Sequence, residues 1–332
     1  RFATFTDLRP GHYLFSVRGA NSDGFWNDVA TSLAITVKPP FWATWWFRLA
    51  GLVAVAGLAL AVTQSRLRGV RMKTQLDAAH DAQMAIMPQS APKVPGFDIA
   101  GAWIPAYGVG GDFYDYFWLE SEPRRLCIVV ADVAGKGMGA AMNAVMSDGM
   151  VFSRARQTGS VEEIMDSLNR SLYHKVERRM FTALCLVVLD PETRKLTFAD
   201  AGLCEPLLRS ERGCEYLSSP GSRLPLGVKL EARYQSASVA LTEGNVVVLF
   251  TDGVPEAQNR GRELYGYDAP RTLLAGLDID DLTADDIVER LIGDVQWFCN
   301  GAEASDDMAV GVIITSLVPL QKLWWGGCRS RY

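Results

Sequence analysis

The sequence predicts an α+β protein built on antiparallel strands, preceded by a short all-β segment and one apolar helix. Three observations predict it. From about residue 93, short apolar runs follow one another, often with no helix between them. That order favours antiparallel sheets over a doubly wound parallel one. Only three long stretches in that region read as helices, and residues 41–62 form one continuous apolar run.

The elements follow in chain order. Residues 11–18 and 32–37 alternate apolar and polar, as half-buried strands do, and Asn21-Ser22-Asp23-Gly24 between them is a turn signal. Forty such residues cannot make a stable sandwich alone. With Arg1 as first residue, 1–40 reads as the end of a domain whose N-terminus lies upstream. Residues 41–64 are long enough to span a membrane, which takes about 20 apolar residues. Trp42, Trp45 and Trp46 cluster at one end like an interfacial belt, and Arg48 lies one turn away, within snorkelling reach. Arg66, Arg68, Arg71 and Lys73 flank the other end, which the positive-inside tendency makes cytoplasmic. A buried core helix is the competing reading.

Residues 65–92 predict a linker helix ended by Pro88 and Pro92. Met72, Leu76, Ala79, Gln83 and Ile86 follow a 4-3-4-3 spacing, a weak seam for a parallel coiled coil and hence a homodimer. A single helix packed on its own domain fits the same residues. His80 lacks the downstream boxes a phospho-accepting histidine needs. The domain at 93–316 carries strands at 97–104, 113–119, 126–133, 183–189, 195–199, 206–209, 245–250 and 308–314. Its helices fall at 139–155, 161–178 and 284–300, and a tail of mixed character occupies 317–332.

Charged residues make up 21% and hydrophobic residues 48%, so the chain is globular rather than disordered. A net charge of -5 argues against nucleic acid as the partner. Three histidines, and six cysteines without a C-x-x-C pair, leave little for a zinc ribbon, a redox pair or a Ser-His triad. Cys127 and Cys185 sit in apolar runs as inert thiols.

Four acidic motifs carry the chemistry. They are Gly110-Gly111-Asp112-Phe113-Tyr114-Asp115, Ala131-Asp132-Val133-Ala134-Gly135-Lys136-Gly137, Phe250-Thr251-Asp252-Gly253 and Ser305-Asp306-Asp307-Met308. Each sets a carboxylate at the end of an apolar run or beside a glycine turn. One such Asp alone is an ordinary turn or cap residue. Several, gathered from distant segments, are what hard divalent cations require. Lys136 does not complete a phosphate-binding P-loop, because Gly137 follows it and the first glycine is missing.

From residue 82 to 314 the sequence resembles the SpoIIE/RsbU-type branch of the metal-dependent (2C-type, PPM superfamily) serine/threonine phosphatases. Beside the acidic motifs the resemblance rests on Ala82-Gln83-Met84-Ala85-Ile86-Met87-Pro88, Pro95-Gly96-Phe97-Asp98-Ile99-Ala100, Asp190-Pro191-Glu192-Thr193, Leu224-Pro225-Leu226-Gly227-Val228 and Thr251-Asp252-Gly253-Val254-Pro255-Glu256-Ala257. It implies a β-sandwich of two antiparallel sheets flanked by helices, with two divalent cations, manganese or magnesium, at one edge. It further implies that Asp112 binds one cation, Asp132 bridges both, the Val133 carbonyl ligates the first, and Asp252 and Asp306 bind the second. Asp115 and Asp307 would stand behind these ligands, with Asp307 the substitute for Asp306. Gly110, Gly111 and Gly135 would permit close backbone approach.

The implied activity is hydrolysis of phosphoserine or phosphothreonine by an activated water, on a regulatory protein such as a STAS-type anti-sigma-factor antagonist. The helix after Gly139 would belong to a switch region. Where relatives show Ala-Gly-His-Asn-Pro, this chain has Ala201-Gly202-Leu203-Cys204-Glu205-Pro206. That departure keeps open a second reading, a catalytically silent pseudophosphatase acting as a scaffold.

The first forty residues resemble the end of the triple-tyrosine sandwich of bacterial sensor proteins, through Leu8-Arg9-Pro10-Gly11-His12-Tyr13, Arg18-Gly19-Ala20-Asn21-Ser22-Asp23-Gly24 and Pro39-Pro40-Phe41-Trp42. Together the resemblances imply a single-pass protein of the inner (cytoplasmic) membrane, with a sensing region outside and the phosphatase domain inside.

Overall fold

In the computed structural model, residues 4–106, 108–120, 124–175, 180–302 and 304–316 are described, with the backbone alone over 69–77. The chain divides into two compact units, Arg1–Lys73 and Thr74–Tyr332. The predicted tail lies outside the described residues.

In the first unit, strands β1 (Gly11–Val17) and β2 (Thr31–Val37) pair antiparallel, with Gly11 opposite Val37 and Val17 opposite Thr31. The turn expected between them forms. The Asn21 side-chain oxygen accepts the N–H of Asp23 at 3.1 Å and of Phe25 at 2.9 Å. Leu14 and Leu33 remain exposed, so this ribbon encloses no core.

Helix α1 (Trp45–Ile86) follows a short 3-10 turn, Phe41–Ala43. The helix therefore begins four residues after the expected start at residue 41, and no break separates the expected membrane segment from the expected linker. Trp45–Arg68 is long and apolar enough to cross a membrane, with a mean hydropathy of 1.8 and none of it buried in the protein. Of the expected coiled-coil seam, Met72 and Leu76 lie outside the described side chains. Gln83 is buried within the second unit, so at this turn the helix packs on its own domain.

The second unit contains β3 (Phe97–Ile104), β4 (Phe113–Trp118), β5 (Leu126–Val133), α2 (Met138–Ala155), α3 (Val161–Lys175), β6 (Thr182–Asp190), β7 (Lys195–Ala201), β8 (Leu207–Ser210), β9 (Gly213–Tyr216), β10 (Ala237–Ala240), β11 (Val246–Phe250), α4 (Asp268–Gly276), α5 (Ala284–Cys299) and β12 (Met308–Thr315). One sheet runs β10-β7-β6-β5-β4 and the other β3-β12-β11-β8-β9, with antiparallel pairs throughout. The α+β sandwich is thus as expected. Strands β9 and β10 and helix α4 are additions. Four residues of mixed polarity are too few for either strand's period to show in the sequence.

The central strands are buried on both faces, which explains their unbroken apolar runs. On β5, Leu126, Ile128 and Val130 point between the sheets, while Cys127, Val129 and Ala131 pack under α2 and α3. On β11, Val247 and Leu249 face inward and Val246, Val248 and Phe250 face α4 and α5. The layers are therefore helix, sheet, sheet, helix. Helix α5 begins with a capping box between Thr283 and Asp286 and takes a further cap from β3, where Asp98 accepts the Ala284 N–H at 2.7 Å. It ends at left-handed Asn300.

Two substitutions should separate core from cap. Phe198→Ala opens the space between the sheets and should cost about 3–5 kcal/mol. Thr283→Ala removes one cap and should cost about 1 kcal/mol. Urea unfolding midpoints would check the ranking.

Candidate metal centre

Strand register places the acidic motifs together. Phe113 of β4 lies opposite Ala131 of β5, and Phe250 of β11 opposite Val310 of β12. Asp112 precedes the start of β4 and Asp132 lies near the end of β5. Asp252 follows β11, and Asp306 and Asp307 precede β12. Two sheets therefore deliver their carboxylates to one edge of the sandwich.

Asp112 is 2% exposed, and its Oδ2 is buried with no partner. Burial, and then the neighbouring Asp132, raise its carboxyl well above the usual range, with Asp307 and Asp252 adding to the effect and a bond with Thr251 opposing it. Asp132 is pushed up to about 7 by burial, then Asp252, with smaller contributions from Asp306 and Asp307 and a hydrogen bond with Asp112 opposing them. Asp252 rises to about 6 through burial, then Glu256 and Asp306. These groups feel one another as like charges.

Asp307 does a different job. Its Oδ1 accepts the Ala106 N–H and its Oδ2 the Gly111 N–H, both at 2.8 Å. The carboxylate thus ties the loop carrying Asp112 to the start of β12. Asp306 is half exposed, accepts the Asp307 N–H at 3.0 Å and lies 3.5 Å from the Lys136 ammonium. Lys136 also donates to the Ser305 carbonyl at 2.8 Å, so its charge is directed at this edge.

Three glycines allow the approach, the first being Gly110, where a Cβ would stand 2.3 Å from the Asp307 Oδ2. A Cβ on Gly111 would stand 2.4 Å from the Val133 carbonyl oxygen, and one on Gly253 would stand 1.8 Å from the Asp307 carbonyl oxygen. Gly135, by contrast, has the Met180 side chain as its nearest neighbour. From α1, Gln83 donates to the Gly110 carbonyl at 2.8 Å and accepts the Gly110 N–H at 3.3 Å. His80 bonds the Gly108 carbonyl and stacks on Trp103. The last turns of α1 thus brace the loop that leads into Asp112.

The chemistry of this set fits divalent cations. All donors are oxygens, one buried carboxylate oxygen is orphaned, and the mutual repulsion needs a positive counterpart. Among the described residues, no three His, Cys, Asp or Glu groups close around one point as a finished ligand shell. The carboxylates lie within electrostatic reach of one another instead.

Asp115 needs a correction, because it lies apart from this cluster. On β4 it shares a face with Phe113 and Phe117, which pack with the helices, and it pairs with Asp148 of α2. Burial raises Asp115 to about 6 and, with the Asp115 charge next, raises Asp148 to about 7. Sequence reasoning missed Asp148, Glu256, Gly253 and the bracing by Gln83. Strand parity pointed Asp115 to the helix side, and an Asp inside the small-residue helix α2 was the available signal for its partner. Leu203 and Cys204 are both buried, so the segment that departs from the relatives' pattern presents no polar side chain from those positions.

Two predictions follow from these contacts. Asp307→Ala strands two backbone N–H groups at about 1–3 kcal/mol each, whereas Asp306→Ala breaks only an exposed pair. Calorimetry should show a large drop in Tm for the first and little for the second. The Asp115–Asp148 pair has raised folded-state values, so its favourable contribution is complete below about pH 4 and is lost as pH rises through about 6 and 7. Asp148→Asn should therefore stabilise the protein by about 2 kcal/mol at pH 8 and leave it unchanged near pH 4, as read from melting curves.

With this geometry in view, the comparisons are direct. The family described as stage II sporulation protein E (SpoIIE) matches residues 122–315, more than half of the chain. The phosphoserine phosphatase RsbU of Bacillus subtilis is 25% identical over 194 residues, which cover 58% of this chain and 57% of RsbU. The phosphoserine phosphatase RsbP of the same organism is 26% identical, over 60% of this chain and 47% of RsbP. The chain thus spans about half the length of these relatives. The SiaA-PP2C domain of Pseudomonas aeruginosa, at 22% identity, superposes with a TM-score of 0.64 over 74% of this chain and 97% of that domain, which shows a shared fold. A two-sheet sandwich with carboxylates gathered at one edge, together with the match over 122–315, establishes that this chain belongs to the SpoIIE family.

Proposed function

We propose that this chain is a membrane-anchored sensor phosphatase that hydrolyses phosphoserine or phosphothreonine on a regulatory protein, a STAS-type antagonist in the first instance. The observation that carries the reading is the orphaned, buried oxygen of Asp112 inside a group of mutually repelling carboxylates. The names of RsbU and RsbP support the reaction type. The apolar Trp45–Arg68 stretch and its exposed tryptophans support the anchor, and the basic residues beyond it support a cytoplasmic second unit.

Asp112 and Asp132 would hold the first of two divalent cations with the Val133 carbonyl, and Asp132, Asp252 and Asp306 the second. When bound, manganese or magnesium supplies Lewis-acid polarisation of the phosphoryl oxygens and a water acidic enough to act near neutral pH. The chain's own residues do the rest. Asp307 fixes the spacing of the loop that carries Asp112. Lys136, beside Asp306, places positive charge where an anionic substrate must arrive. The raised carboxyls favour protons over cations at low pH, so activity should rise as pH passes through about 6 to 7. The buried thiols of Cys127 and Cys185 are held well above their usual range, so neither offers a nucleophile at neutral pH.

The pseudophosphatase reading draws its support from the buried Leu203 and Cys204. One assay separates the two. The full chain in detergent micelles, loaded with manganese, is given a phosphoserine STAS protein and p-nitrophenyl phosphate. The enzyme reading expects metal-dependent phosphate release that Asp132→Asn lowers by about a thousandfold. Binding of the phosphoprotein without any turnover would establish the scaffold instead.

A further inference from the structure

Beside the carboxylates lies a groove that the proposed reaction leaves unused. It holds about 240 Å³ between β3, α5 and the segment leading into β12. Ile104, Ala257, Val295 and Met308 give it an apolar wall, and it opens onto Gly253 and Asp306. Asp306 is the one charged residue among its described lining residues. Resting on the phosphatase reading, we infer that this groove receives an apolar side chain close in sequence to the phosphorylated residue of a protein substrate, and selects substrates by it.

Four considerations carry the inference. The groove is continuous with the site, because Gly253 and Asp306 belong to both. A phosphoryl group held at the carboxylates brings its flanking residues to the groove's mouth, since an extended chain advances about 3.3–3.6 Å per residue. The size is right for a side chain, because pockets for whole small ligands run from about 300 to 1,000 Å³. The chemistry suits an apolar guest, because Asp306, already facing Lys136, is the one charged residue among the described lining residues.

The test uses the full chain in detergent with manganese and a set of phosphoserine peptides. In these a single leucine is moved through each of four positions on either side of the phosphoserine, in an otherwise alanine and serine background. The wild type should prefer leucine at one position by about tenfold or more in kcat/KM. Ala302→Phe, which fills the groove from its rim, should abolish that preference while hydrolysis of p-nitrophenyl phosphate stays within about twofold of wild type. Gln296→Trp narrows the groove from α5 and should act alike, so the result does not depend on one variant folding. A leucine preference absent at every position, or one surviving in both variants, overturns the groove's role. A wild type that hydrolyses neither the peptides nor p-nitrophenyl phosphate overturns the phosphatase reading itself, and the groove's role with it.

Discussion

Repulsion between carboxylates is the constraint on which the second unit is organised. Asp112, Asp132 and Asp252 are partly or wholly out of water and within electrostatic reach of one another. Such a group destabilises any fold that carries it without a counter-ion. The sandwich supplies what bears that strain, namely central strands buried on both faces and a cross-tie from Asp307 that uses backbone N–H groups rather than charges. The carboxylate cluster is therefore held by the scaffold and not by contacts among its own members.

The same logic explains where small residues occur. Gly111 and Gly253 sit where the backbone segments at the ends of neighbouring strands, β4 with β5 and β11 with β12, pass within contact distance. Side chains there would push apart the loops that Asp307 draws together. The packing reaches outward from this point: Gln83 holds the Gly110 peptide, so the end of α1, the entry to β4 and the start of β12 are linked by hydrogen bonds.

Much of this was legible in the sequence because burial on both faces writes itself as uninterrupted apolar runs. Strands β3, β5 and β12 fall where those runs fall, within a residue, and acidic motifs mark the end of β5 and the start of β12. Short elements were not legible, since the four residues of β9 or β10 hold too few side chains for a period. The placement of Asp115 failed for another reason. Closeness in sequence to Asp112 suggested closeness in space, but three residues along a strand reverse the face, and the side chain meets Asp148 instead. Gln83 read as a seam position because spacing cannot tell a partner helix from a neighbouring loop.

The Asp307 cross-tie has a thermodynamic consequence. One carboxylate joins the loop of Asp112 to the segment of Asp306, so displacement at either end of the site strains the other. If two cations bind as proposed, they would not be independent, and reciprocity would require each to alter the other's affinity by an equal factor. Ligand sets that look alike on paper would fill in sequence, with the carboxylate at the centre setting how far apart the two affinities lie.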